Sequence, residues 1–147
     1  MLATEVIDGR YHFTRVLMDG GGSLNLIYQD TIRGMGLDPT QIRHSNTTFK
    51  GVTPGPGARC TGSLLLQVIF GSPDNFRREH LIFHIAPFQT GYQALLGREA
   101  FARFNAIPHY ASLTLKMPSP RGIITVHGNI KRSLRAEESE AALAAAH

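Results

Sequence analysis

The segment "RVLMDGGGSLNLIYQDTI", residues 15–32, places one acidic residue between an apolar run and three glycines. The apolar run predicts a buried strand that ends at Asp19. Gly20, Gly21 and Gly22 allow positive φ angles and a close approach by another segment, and the N–H groups of such a turn can point back at the carboxylate. Two interpretations stay open: an ordinary hairpin turn, for which Asp-Gly is a common signal, or a carboxylate held for chemistry. A phosphate-binding loop is not favoured, because neither Lys-Ser/Thr nor a long helix follows the glycines.

Strand patterns dominate the rest of the chain. Short apolar or alternating runs bounded by turn residues are typical of β-strands, and they occur at 11–18, 23–28, 63–71, 79–86, 92–97 and 111–117. "PSPRG" then turns the chain, and "IITVHG" is predicted to return antiparallel to the last run. "QDTIRGMG" predicts a short helix or turn, and the spacing of Ala100, Phe101 and Phe104 predicts one or two helical turns within 98–105. The chain is therefore predicted to be a small all-β barrel or sandwich with one short helix on its C-terminal side.

The 147 residues are predicted to form one domain with loose ends. Residues 1–9 are expected to be a flexible N-terminus, 10–128 the folded domain, and 129–147 a charged, Ala-rich tail. The beginning of the chain does not resemble a secretory signal, and a single cysteine cannot form an internal disulfide, so an intracellular location is expected. Because no apolar run approaches the ~20 residues that cross a bilayer, no membrane association is expected.

The basic charge of the chain does not predict a nucleic-acid partner. The formal net charge is +4, but the positive side chains are scattered, and only "KRSLR", residues 131–135, forms a cluster. A stripe of basic residues interleaved with aromatic residues, which is typical of nucleic-acid-binding surfaces, is not present in the sequence. We therefore interpret the positive charge as a solvated basic surface.

Neither a metal site nor a cysteine nucleophile is predicted. "HLIFH" places His80 and His84 on one face of a strand, but a metal would need a third and a fourth ligand, and Cys60 is the only thiol. The two histidines are interpreted as ordinary strand residues. Cys60 is interpreted as a small apolar filler, since no motif of a Cys–His catalytic pair accompanies it.

Two separated motifs carry a resemblance to a known family. The apolar-apolar-Asp-x-Gly pattern of "LMDGG" and the later "LLGR" resemble the retropepsin aspartic proteases. The segments "VLMDGGGSLNLIY", "GVTPG", "ALLGREAFARFNAIPHYASLTLKMP" and "GIITV" together resemble the protease segment of plant Ty3/gypsy-type retrotransposon Gag-Pol polyproteins. The resemblance extends from about residue 10 to about residue 128. It implies an all-β acid-protease barrel, equivalent to half of the bilobal pepsin fold.

The resemblance also implies an activity and a set of site residues. Retropepsins are homodimeric aspartic endopeptidases in which each chain gives one aspartate to a shared dyad, and Asp19 is the matching position. The active-site loop would then contain Gly20, Gly21, Gly22 and Ser23, and structural support would come from Leu96, Gly97 and Arg98. The substrate would be a peptide segment of the polyprotein, with no metal or organic cofactor.

The acidic residues agree with a dyad that needs two chains. The chain has 11 acidic residues, and no second Asp-x-Gly follows an apolar strand. Asp30 and Asp38 lie in a predicted helix or loop, Asp74 lies in a turn, and Asp8 lacks a comparable strand before it. A two-carboxylate mechanism therefore requires a homodimer.

Residues 53–57 are the candidate flap. "TTFKGVTPGPGARCTG" has β-branched residues on both sides of a Pro/Gly centre, which predicts a hairpin or a mobile flap. A flap formed by Thr53, Pro54, Gly55, Pro56 and Gly57 would close over a substrate and exclude water. A plain hairpin loop is the alternative interpretation.

The chain departs from the retropepsin pattern at two positions. The family has Thr or Ser after the catalytic Asp, and its hydroxyl bonds across the dimer; Gly20 stands there in this chain. In retroviral members the arginine of the Gly-Arg motif pairs with an acid four residues after the catalytic Asp, where this chain has Ser23. A second hypothesis therefore stays open: a retropepsin-fold module that dimerises or binds peptides and cleaves weakly or not at all.

Overall fold

The computed structural model describes residues 2–6, 9–45, 47–49, 58–87, 90–109, 111–112 and 114–127. The described strands are β1 (Leu2–Val6), β2 (Gly9–Phe13), β3 (Val16–Met18), β4 (Asn25–Tyr28), β5 (Thr48–Phe49), β6 (Ala58–Arg59), β7 (Gly62–Ser72), β8 (Asn75–Ala86), β9 (Ala94–Leu96), β10 (Ile107–His109), β11 (Thr114–Ser119) and β12 (Gly122–His127). The helices are α1 (Gln29–Met35) and α2 (Arg98–Phe104), with a 3-10 turn at Pro39–Gln41. The prediction of a mostly-β fold is confirmed.

A seven-stranded sheet forms most of the molecule, in the order β2-β1-β7-β8-β4-β9-β3. Its centre is the long antiparallel hairpin of β7 and β8. Strand β4 runs parallel to β8, and β3 runs parallel to β9 at one edge of the sheet. Since the parallel pair β3 and β9 end together, the residues that follow each strand, Asp19 and Gly97, lie close to one another.

A second sheet of three strands, in the order β10-β11-β12, closes one side of the core. Leu115 and Met117 of β11 are buried, whereas Lys116 between them is exposed. Ile124 of β12 is also buried. The predicted alternation of the 111–117 segment and its antiparallel return through "IITVHG" are confirmed for the described residues.

Helix α2 packs on the core as its spacing predicts. Ala100 and Phe104 are buried, and the Phe104 ring meets Phe70 edge-to-face with centroids 4.9 Å apart. The Arg77 guanidinium donates to the carbonyls of Arg103 and Phe104 at the end of the helix and pairs with Glu79 at 2.7 Å. A cation at a helix C-terminus is favourable, so Arg77 fixes the C-terminal end of α2 relative to the sheet.

One local feature differs from the sequence prediction. Residues 11–18, predicted as one strand, are split into β2 and β3 at Thr14 and Arg15, whose N–H groups both donate to the Gln93 side-chain oxygen at 2.8 and 3.0 Å. The prediction of a short helix or turn at "QDTIRGMG" is confirmed, because this segment forms α1, which ends at Gly36 with φ 65°. Strand β1 lies within residues 1–9, and its backbone pairs with β2 and β7.

Candidate functional site

Asp19 lies directly after β3, at the edge of the large sheet, and its side chain is exposed. Its backbone N–H donates to the carbonyl of Leu96, the last residue of β9, at 2.9 Å. This bond continues the parallel pairing of β3 and β9, in which Met18 lies opposite Leu96. The predicted strand ending in a carboxylate is therefore present, and its end is attached to the "LLGR" motif.

The glycines after Asp19 form a tight turn. The Gly22 N–H donates to the Asp19 carbonyl at 3.1 Å, and the Gly21 N–H donates to the Asp19 carboxylate Oδ1 at 3.1 Å. A Cβ added at Gly22 would lie 2.9 Å from Oδ2 of the same carboxylate, whereas one at Gly21 would make an ordinary contact of 3.5 Å. Gly20, where retropepsins have a hydroxyl, is half-buried. One N–H group therefore holds the carboxylate in the turn, and the lack of a side chain at Gly22 leaves room for it.

The residues of the "LLGR" motif pack on this turn through their backbone. The Arg98 N–H donates to the Gly22 carbonyl at 2.8 Å. A Cβ on Gly97 would lie 2.4 Å from the Leu24 carbonyl oxygen and 2.8 Å from that of Gly22. These separations are below any van der Waals contact, so only glycine fits at this position.

Arg98 and Ser23, the positions that correspond to the family's ion pair, are both exposed. Among the described residues, ion pairs join Arg33 to Asp30 and Arg77 to Glu79, and Arg98 is in neither. Its guanidinium therefore has no carboxylate partner in this part of the chain. The hydrogen bond from Arg98 to the turn comes from its backbone N–H.

Asn25 is a site residue that the sequence does not predict. It follows the turn as the first residue of β4 and is only 1% exposed. Its Oδ1 accepts the Gly97 N–H at 2.9 Å, and its Nδ2 donates to the Ile82 carbonyl at 3.3 Å. The alternating pattern of "SLNLIY" predicts Asn25 on a polar face, but all four residues of β4 are buried. A polar residue inside a short apolar strand was the available signal.

A cluster of aliphatic side chains lies on the Asp19 side of the sheet. Val16 and Met18 pack on the main core, so Leu17 between them points to the opposite face. Since side chains alternate along a strand, Asp19 shares that face with Leu17. Leu17 packs there in a small cluster with Leu24, Leu26, Cys60 and Leu95.

The candidate flap residues Thr53, Pro54, Gly55, Pro56 and Gly57 lie outside the described residues. The strands on either side of them, β5 and β6, pair antiparallel, with Thr48 opposite Arg59 and Phe49 opposite Ala58. Before β5, the buried Ser45 hydroxyl accepts the Thr47 N–H at 3.2 Å and lies 3.2 Å from Nδ1 of His84. Desolvation lowers the pKa of His84, an effect opposed by the charge of Glu99.

The remaining candidate residues behave as structural groups. Cys60 is buried, and burial raises the pKa of its thiol. His80 is exposed and His84 half-buried on one face of β8. In the described part of the chain, no group of three or more His, Cys, Asp or Glu side chains could hold a metal ion. Within the same residues, the two α-helices have seven residues each, and none is long and apolar enough to cross a membrane.

Comparison with solved structures identifies the fold. The chain is similar to the crystal structure of the retroviral protease-like domain of Ddi1 from Leishmania major, with a TM-score of 0.55 and 10% sequence identity. The alignment covers 87% of this chain and 96% of that domain. No protein-family model and no curated protein sequence matches the chain. The chain therefore has a retropepsin-like all-β fold, as the sequence predicts.

Proposed function

We propose that the chain is an aspartic endopeptidase domain that acts as a homodimer and hydrolyses peptide bonds of a retrotransposon Gag-Pol polyprotein. The retropepsin-like fold supports the protease class. The Ty3/gypsy-type polyprotein as source and substrate is supported by the motif resemblance between about residues 10 and 128.

The observation that carries the proposal is the position of the Asp19 carboxylate. It is exposed at the end of β3, accepts the Gly21 N–H, and belongs to a turn whose two ends bond to Leu96 and Arg98. A solvent-facing acid on a backbone fixed from two sides is suited to a reaction that depends on position. An ordinary surface turn would not need the second segment.

A second chain would supply the second carboxylate. Among the described aspartates, Asp30 lies in α1, Asp38 caps the 3-10 turn, and Asp74 lies in the β7–β8 turn. None of them follows a strand that pairs with the "LLGR" segment. Two copies of Asp19 in a symmetric dimer would form the dyad.

Two carboxyl groups in such a dyad share one proton, because they lie too close together for both to be ionised. The ionised Asp19 takes a proton from a water molecule whose oxygen attacks the peptide carbonyl carbon. The protonated Asp19 donates a hydrogen bond to the carbonyl oxygen and polarises it. The Asp19 that took the proton from water then gives it to the amide nitrogen as the carbon–nitrogen bond breaks, which releases an amine and a carboxylic acid and restores the singly protonated dyad.

The aliphatic cluster beside Asp19 favours apolar substrate side chains near the scissile bond. Leu17 and Asp19 share one face of the sheet, and Leu24 is half-buried there. A substrate side chain that covered these leucines would gain roughly 25 cal/mol for each Å² of apolar surface removed from water. We therefore expect aliphatic or aromatic residues next to the cleaved bond.

The test compares two aspartates of the same chain. Purified wild type, Asp19→Asn and Asp38→Asn would be assayed on a library of polyprotein-derived peptides over roughly pH 4 to 7, a range at whose acidic end a carboxylate dyad is singly protonated. We expect turnover that is favoured by acid, blocked by a statine-type inhibitor, abolished by Asp19→Asn and unchanged by Asp38→Asn. Absence of Asp19-dependent turnover from a chain shown to be dimeric would overturn the enzyme proposal.

In the acidic part of this pH range, protonation of His84 should destabilise the folded chain. Its pKa is lower in the folded chain than its ordinary value of 6.5, so the unfolded chain binds the proton first. The contribution of neutral His84 to the unfolding free energy is therefore fully present above pH 6.5, and it is lost as the pH falls from there toward the pKa of His84 in the folded chain. We expect a lower melting temperature at about pH 5 than at about pH 7.5, with a smaller difference in His84→Gln. An equal difference in both proteins would contradict this assignment.

The alternative function is a dimerising or peptide-binding module that does not cleave. Gly20 favours it, because the position lacks the hydroxyl that would bond across a retropepsin dimer, a loss of roughly 1 kcal/mol on each side. Sedimentation together with the peptide assay separates the two functions: dimers that bind peptides without turnover support the module. A chain that stays monomeric at high micromolar concentration contradicts both.

A further inference from the structure

Asn25 is one of three buried polar residues in the described part of the chain, with Thr31 and Ser45. A buried carboxamide is destabilising unless both of its ends are hydrogen-bonded. The two partners of Asn25 fix its orientation: the Gly97 N–H can only donate and therefore faces Oδ1, and the Ile82 carbonyl can only accept and therefore faces Nδ2. The carboxamide thus joins β4 to β8 and to the β9–α2 junction.

The bond to Gly97 lies between the two backbone bonds that fix the Asp19 turn. Residue 96 accepts from the Asp19 N–H, and residue 98 donates to the Gly22 carbonyl. Gly97 between them is the N-cap of α2 and has no side chain with which to cap the helix. Among the described hydrogen bonds between the 19–25 and 96–98 segments, the Asn25 bond is the one that involves a side chain.

Among the described residues, neither an ion pair of Arg98 nor burial of the Asp19 side chain constrains the turn. Arg98, which could have held the loop through an ion pair, has no carboxylate partner among the described residues. Asp19 is itself exposed, so packing in the core does not set its position. A Cβ added at Gly97 would lie 2.4 Å from the Leu24 carbonyl oxygen and 2.8 Å from that of Gly22, so Gly97 packs closely on the turn and a shift at Gly97 would be transmitted to it.

We propose that Asn25 is a positioning residue, whose buried carboxamide holds Gly97 against the Asp19 turn and thereby sets where the carboxylate lies. The expected effect on kcat rests on the proposed function, whereas the expected effect on the structure of the junction does not. Asn25 is buried and does not reach a substrate. Its loss should therefore lower kcat and leave KM nearly constant, since it removes placement and not substrate binding.

The test uses the full chain with Asn25→Leu, Asn25→Asp and a matched control, Thr31→Val. Thr31 is also buried, and its hydroxyl donates to the Gln93 carbonyl at 2.8 Å, away from the Asp19 turn. All proteins would be assayed well below their melting temperatures, so that a difference in stability alone does not change the rate. We expect Asn25→Leu to lose at least about tenfold in kcat with KM within about threefold, while Thr31→Val keeps its kcat.

Asn25→Asp supplies a second variant if the leucine variant does not fold. Its carboxyl oxygen can still accept the Gly97 N–H, but only the protonated form has an O–H that can donate to the Ile82 carbonyl. The kcat of Asn25→Asp relative to wild type should therefore rise as the pH falls. A relative kcat that does not change with pH, or Thr31→Val losing as much kcat as Asn25→Leu, would overturn the proposal.

Amide hydrogen exchange separates this inference from the proposed function. The Asp19 and Arg98 amides bond to the two sides of the junction, so Asn25→Leu should speed their exchange by at least about tenfold more than Thr31→Val does. If wild type shows no turnover but this acceleration is present, the protease proposal fails and the positioning inference stands. Unchanged exchange at both amides would overturn the inference, whatever the activity.

Discussion

Two aspartates in this chain close the same kind of turn. The Asp19 carboxylate accepts the N–H of Gly21, two residues later, at 3.1 Å, and the Asp38 carboxylate accepts the N–H of Thr40, also two residues later, at 3.0 Å. Both residues are exposed. Seen from their nearest neighbours alone, both are ordinary turns of the kind that Asp commonly begins.

The difference lies in what the rest of the chain does. The bonds around Asp38 stay within the 38–42 segment: Gln41 donates to the Asp38 carbonyl, and Ile42 donates to Pro39. The turn at Asp19 bonds to Leu96 and Arg98, far along the chain. The candidate site is therefore made by a long-range attachment added to a common local motif, and it should be lost when that attachment is lost.

The largest test of this difference is Gly97→Ala. The new Cβ would lie 2.4 Å from one backbone oxygen and 2.8 Å from another, so the two segments must separate. We expect a loss of about 3 kcal/mol in unfolding free energy, in the range of overpacking changes, and loss of turnover. Chemical denaturation and the peptide assay measure the two effects.

Gly91→Ala is the matched control for that substitution. An added Cβ at Gly91 meets nothing within 4 Å, and a change there should stay within about 0.5 kcal/mol. If Gly97→Ala were as well tolerated as Gly91→Ala, the attachment of the two segments would not be what distinguishes Asp19 from Asp38.

A smaller effect on stability, with a large one on activity, is expected for Gly22→Ala. Its Cβ would lie 2.9 Å from Oδ2 of Asp19. The carboxylate can rotate away, so the loss of unfolding free energy should stay near 1 kcal/mol. The rotation would move the reacting group, and a displacement of this kind can lower kcat by about 100-fold.

The neighbouring glycine provides the comparison for Gly22. A Cβ at Gly21 would make an ordinary 3.5 Å contact with Asp19, and the Gly21 N–H would still reach the carboxylate. Turnover by Gly21→Ala should therefore stay within about fivefold of wild type. Equal losses in the two variants would show that the side-chain position of Asp19 is not what the glycines preserve.

The strands and the helix that depend on local sequence patterns could be predicted from the sequence. Apolar runs with turn residues at their ends indicate β7, β8, β11 and β12, and the strand-Gly-helix pattern of "LLGRE" indicates β9 and α2. The attachment of Leu96 to Asp19 followed from the resemblance of two separated motifs, because no local pattern states which strands are neighbours.

What could not be predicted depends on contacts between distant residues. The break between β2 and β3 is stabilised by the Gln93 side chain, which bonds to Thr14 and Arg15. Asn25 is buried because both faces of β4 are covered: Ile27 packs in the main core, and Leu26 and Tyr28 pack in clusters on the opposite face, so that the polar position of its alternating pattern has no face open to water. The flap role of residues 53–57 stays a prediction, and so does the division of the chain at residues 9 and 128.

The smallest expected effect is on the Asp38 side of the comparison. Hydrogen bonds from the Thr40 backbone N–H and side chain lower the pKa of Asp38 below its ordinary 3.8. The folded chain therefore loses this proton more readily than the unfolded chain, and the resulting stability is present above pH 3.8 and disappears as the pH falls through the lower folded value.

In Asp38→Asn an amide oxygen can still accept the Thr40 N–H, but no charge strengthens the bond. Denaturation midpoints should show the variant slightly less stable than wild type near neutral pH and equal to it in strong acid, with turnover unchanged. A deficit that persisted in strong acid would assign the role of Asp38 to shape and not to charge, and the two turns would then differ in kind as well as in their distant contacts.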